Sequence, residues 1–120
     1  MNPQELKERT KVLGQTCTKL ALVLPQNNII SDYIRKELLQ VSIDLPCKAR
    51  TLLIGQTSSN FVNKLSECSE LADKCAYILE FVIDEKLMDD KLVTPLIEEC
   101  NELILMFYKA FKSVKDKIDN

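Results

Sequence analysis

Three observations predict an all-α fold, an antiparallel up-down-up-down bundle of four helices. Only two glycines occur in 120 residues, so little of the chain suits tight turns, phosphate-cradling loops or flexible linkers. Apolar residues recur at steps of three, four and seven along four stretches, the period of a helix with one buried face. Capping residues or prolines separate these stretches. At 46% hydrophobic, a chain of this length makes one domain with one core, residues 1–120.

The first helix begins at Asn2, Pro3 and Glu5: a capping side chain, a proline at the first helical position and a carboxylate placed to reach back to the cap. Its stripe of Leu6, Leu13, Cys17, Leu20 and Leu24 halts at Pro25, and Pro25 to Asn28 reads as a turn. The second helix opens near Ser31 and Asp32 and carries Ile34, Leu38, Val41, Leu45 and Leu52. Pro46 lies inside it, removing an amide donor and crowding the Ser42 carbonyl, which predicts a kink because the apolar period resumes beyond. Gly55 is the expected terminator.

Thr57, Ser58 and Ser59 offer caps for the third helix, whose stripe Phe61, Leu65, Cys68, Ala72, Cys75, Leu79 and Val82 is the most regular in the chain. It ends at the polar stretch Asp84 to Lys86. The fourth helix starts either at Asp89 or Asp90, or at Thr94 before Pro95, and the earlier start is preferred. From Leu92 its stripe continues through Leu96, Cys100, Leu103, Phe107, Phe111 and Val114. Lys109, Lys112, Lys115 and Lys117 then oppose the negative end of the helix dipole.

Five cysteines, with no CxxC pair and no histidine, lack the pattern of a zinc site and fit a reduced, cytoplasmic setting. Most occupy apolar-face positions, where a thiol acts as a small hydrophobe. No long apolar run follows Lys7, Arg9 and Lys11, so neither a secretory signal nor a membrane span is expected. Beside the main stripes lie Val12, Val23, Leu53, Leu71, Ile78, Phe81, Ile97, Ile104 and Tyr108. Either they widen each inward stripe or they form apolar faces that self-association buries.

The search for chemistry finds no convergent catalytic group. Glu98 with Glu99, Asp84 with Glu85, and Asp89 with Asp90 are neighbours, which point about 100° apart on a helix and read as a solvated acidic face. Glu98 and Glu102 stand one turn apart but lack the Glu-x-x-His partner of di-metal bundle sites. No enzymatic activity, cofactor, metal or small-molecule substrate is expected. The formal net charge of −2 conceals a net of +3 over residues 1–55 and −8 over residues 67–102. Arg35, Lys36, Lys48 and Arg50 are the best candidates for neutralising RNA or DNA phosphates, against the alternative of ordinary solvated cations. Tyr33, Tyr77 and Tyr108 can stack on bases, although tyrosines on helix stripes more often pack.

The second helix also carries a local pattern: basic Arg35 and Lys36, then Val41-Ser42-Ile43-Asp44-Leu45-Pro46, then Gly55, with Ser58 or Ser59 ahead of Phe61 and Leu65. In this pattern and in its helix and connection lengths the chain resembles the four-helix bundle proteins encoded by 23S ribosomal RNA intervening sequences. Their relatives are the accessory variability determinant proteins of diversity-generating retroelements. The resemblance implies a non-enzymatic homo-oligomer, commonly a pentameric ring. In the retroelement branch it also implies a surface that binds nucleic acid and a partner reverse transcriptase. After the proline the family's Asn-Ile-Ala-Glu-Gly is replaced here by Lys48-Ala49-Arg50-Thr51-Leu52.

Overall fold

The computed structural model describes residues 2–119. Four helices follow one another: α1 (Pro3–Leu22), α2 (Ile29–Arg50), α3 (Ser58–Asp84) and α4 (Asp90–Asp119), with a short 3₁₀ turn at Thr51–Leu53 after α2. There is no strand among the described residues. Short connections force each helix to reverse on the last, and the neighbours run in a ring, α1 to α2 to α3 to α4 and back to α1. No Cα of α1 comes within 8 Å of α3, nor α2 of α4, so these pairs are the diagonals of an up-down-up-down bundle. The body measures 54 × 20 × 20 Å.

Local chemistry sets the helix ends. Asn2 Oδ1 accepts from the Gln4 amide at 2.9 Å, while Glu5 turns forward to Arg9 at 3.5 Å instead of reaching back to the cap. Helix α2 starts a turn earlier than Ser31, because Asn28 Oδ1 accepts from the Ile30 and Ser31 amides at 2.9 and 3.1 Å. Thr57 caps α3 through the Asn60 amide at 3.2 Å. Asp89, the earlier of the two starts, caps α4 through the Lys91 amide at 3.0 Å. Pro95 then sits inside the first turns of α4.

The stripes meet in one core that includes Leu6, Leu38, Leu65, Leu79, Leu103 and Phe107. At the start of α4 the sealed residue is Val93, and Leu92 faces out. Of the flanking residues, Ile78 is buried and Leu71, Phe81, Ile97 and Ile104 pack half-buried against the core, whereas Val12, Val23, Leu53 and Tyr108 are exposed. The flanking residues therefore divide, some widening the inward stripes and others remaining on the surface.

Helix α2 runs unbroken through Pro46 and loosens only at Thr51, so Gly55, exposed in the following loop, does not terminate it. Pro46 has no N–H to offer the Ser42 carbonyl. Against that carbonyl lies Gly14 of α1, where an added Cβ would overlap the Ser42 oxygen and stand 3.0 Å from Pro46 Cγ. Two irregularities thus face each other, and α1 and α2 meet backbone to backbone at this level.

Candidate functional site

The four cations singled out for phosphate binding have different fates. Arg35 is spent on the fold: Nε donates to the Ala21 carbonyl at 3.1 Å, and Nη2 to Leu24 and Pro25 at 2.9 and 3.1 Å. Ala21 belongs to the last turn of α1, where its carbonyl also accepts from the Leu24 amide at 3.4 Å, and Leu24 and Pro25 lie in the turn that follows the helix. Its remaining nitrogen pairs with Asp32 at 2.9 Å. Lys48 ties α2 to Glu67 of α3 at 2.7 Å, and that carboxylate raises its pKa. Lys36 and Arg50 are exposed and in no ion pair among the described residues. Sequence position alone does not separate a capping arginine from a free one, because the acceptors of Arg35 belong to another helix and the turn that follows it.

The acidic pairs likewise divide. Glu99 is drawn into a part-buried contact with Arg9, 3.1 Å from Nε and 2.5 Å from Nη2, and Glu102 adds a second carboxylate at 3.1 Å. The Glu99 hydrogen bond, more than any other influence, raises the Arg9 pKa. This cluster ties α1 to α4, the sparsest of the four neighbouring contacts. Glu98, by contrast, stays exposed.

Three thiols from three helices meet in the core. Cys17 Sγ lies 3.9 Å from Cys75 Sγ, and hydrogen bonding to Cys75 together with burial pushes the Cys17 and Cys100 thiols above their ordinary range. Because α1 and α3 are diagonal, with every Cα pair beyond 8 Å, Cys17 and Cys75 cannot form a disulfide without backbone movement. No group of three or more His, Cys, Asp or Glu side chains is arranged to hold a metal ion among the described residues.

An apolar groove opens on the surface between α2 and α3. Ile29, Ile30, Tyr33, Tyr77 and Phe81 line a groove of about 540 Å³, over a floor of Ile34 and Ile78. Ile29 is 85% exposed, and Tyr33 and Tyr77 are each 64% exposed, so these tyrosines do not pack inward as helix-stripe tyrosines usually do. At the groove edge Lys74 Nζ meets Glu37 at 3.0 Å and holds that carboxylate below its usual range. No helix among the described residues is long and apolar enough to cross a membrane.

No protein-family model matches this chain, and no solved structure matches it. The chain is similar to an uncharacterized protein of Methanocaldococcus jannaschii, 28% identical over 132 aligned positions that cover 95% of this chain. It spans 17% of the length of that protein.

Proposed function

We propose that this chain is a non-enzymatic scaffold, a helical bundle that self-associates through the face between α2 and α3. The observation that carries this reading is the groove of Ile29, Ile30, Tyr33, Tyr77 and Phe81. Burying one such side chain contributes about 1.5–3 kcal/mol, and tyrosines are among the residues that dominate interface energies. The Glu37–Lys74 pair at the edge suits a copy of the same face, since each charge can meet its opposite across a two-fold axis. Homo-oligomerisation is also what the resemblance to the intervening-sequence proteins implies; a two-fold contact closes as a dimer, whereas the pentamer of that resemblance needs a head-to-tail contact, so the subunit number separates the two. Sedimentation at tens of micromolar is the decisive measurement. An oligomer that dissociates on Ile29→Glu or Tyr77→Glu supports the reading, and a wild-type monomer refutes it.

One observation favours a second reading, a nucleic-acid-binding accessory factor for a reverse transcriptase. Antiparallel order brings the C-terminal lysines Lys109, Lys112, Lys115 and Lys117 of α4 to the end of the bundle that holds Lys7, Lys11 and Arg50. Gel shifts at low salt with structured RNA and single-stranded DNA test it. Absence of binding below about 100 µM disposes of it, since nonspecific binders reach that range.

A further inference from the structure

We propose that the groove between α1 and α2, on a different face from the self-association surface, binds a nucleotide-sized organic phosphate. The groove exists because of the Gly14 contact. With no Cβ at Gly14 and a proline ring opposite, the two backbones approach closely, and the flanking side chains rise as walls around a space of about 450 Å³. Small-molecule sites occupy ~300–1,000 Å³.

Its charge is unlike the rest of the molecule. In a chain with 18 acidic and 16 basic residues, this groove is lined by Lys7, Lys11 and Arg50 and by no carboxylate. Arg9, Arg35, Lys48 and Lys74 are all held by carboxylates. Lys7, Lys11 and Arg50 take part in no ion pair among the described residues, so an external anion does not have to displace an internal one. Lys7 and Lys11 stand one turn apart on α1, and Arg50 closes α2 at the same end of the bundle. An arginine fork with two ammonium groups suits a phosphate chain.

The middle of the groove is formed by Gly14, Ile43 and Pro46, a low apolar floor for the body of the ligand. Beyond it lie Gln15, whose amide carries no internal hydrogen bond among the described residues, and Thr18, whose hydroxyl donates to the Gly14 carbonyl and keeps its lone pairs free to accept. Cations at one end, an apolar floor and amide and hydroxyl groups at the other match phosphates, a flat ring and its polar edge. A free nucleotide and a nucleic-acid strand share this chemistry, but the groove is sized for the former.

Cys47 lines the same groove and is the exposed thiol of the five, which supplies a reporter. The experiment follows alkylation of the intact chain by neutral iodoacetamide, with ATP, adenosine or a single-stranded oligonucleotide present. ATP at ~10 times its Kd is expected to slow Cys47 alkylation about tenfold, because only the unoccupied protein reacts, and adenosine is expected to leave it unchanged. In a Lys11→Gln, Arg50→Gln variant, with helical circular dichroism checked, the ATP effect disappears. The proposal is overturned by an unchanged rate at about 5 mM ATP, by protection that persists in the variant, or by protection from the oligonucleotide alone.

Discussion

Gly14→Ala tests the account of how α1 and α2 fit together. The new methyl group would overlap the Ser42 carbonyl oxygen and press on Pro46 Cγ at 3.0 Å. A backbone oxygen inside a helix cannot rotate aside, so the helices must part by about 1 Å to restore an ordinary C···O contact of ~3.3 Å. Forcing a methyl into a closed contact costs about 2–3 kcal/mol, and alanine's better helix propensity offsets about 1 kcal/mol of that. The net loss is about 1–2 kcal/mol, or a fall of about 4–8 °C in Tm for a domain of this size. Urea unfolding followed at the helical circular dichroism band measures it. Gly55→Ala is the control, since nothing lies within 4 Å of the added Cβ and its φ is not positive. That change should be neutral or stabilise by up to about 1 kcal/mol. Adding Pro46→Ala removes the ring and restores an amide donor for Ser42, so the pair should couple by at least ~0.5 kcal/mol in a double-mutant cycle. A Gly14→Ala protein as stable as wild type refutes the close approach.

Other consequences are open to direct measurement. Arg35→Ala should lose about 2–3 kcal/mol in urea unfolding by stranding the carbonyls of Leu24 and Pro25 and removing one donor from that of Ala21, which keeps the Leu24 amide. Arg35→Lys should not restore it, because one ammonium cannot reproduce the fork. Thiol titration of the native protein should count one fast cysteine, Cys47, with the other four reacting only in denaturant. Native oxidation followed by peptide mapping should find no Cys17–Cys75 bridge, given the separation of α1 and α3. Burial raises the Cys68 thiol from 9.0 to about 12. The unfolded chain therefore releases that proton first, and stability that is full below pH 9 should decline as pH rises toward 12. Cys68→Ala should flatten this decline.

Much of the architecture was legible because amphipathic period is a local property. The stripe from Phe61 to Val82 and the caps at Asn2, Thr57 and Asp89 involve side chains acting within a few residues of themselves. Where local signals competed, the sequence misled: Asn28 took the α2 cap ahead of Ser31, and Gly55 lay beyond a helix that had already ended. The candidate sites were less legible. Arg35 and Arg50 are the same residue type on the same helix, yet one caps α1 and the other stands free over a groove. Gly14 carried no periodic signal, although Pro46 marked the helix that would meet it.

The sequence by itself determined that there are four helices, which face of each turns inward and that they reverse at each connection. Those features depend on neighbours one to seven residues apart. Only the tertiary structure decided which cations are consumed by carbonyls and carboxylates, which thiols meet, and that Gly14 and Pro46 open a basic groove while α2 and α3 leave an apolar one. These outcomes depend on the axial register between helices, which is fixed by side-chain packing across the core.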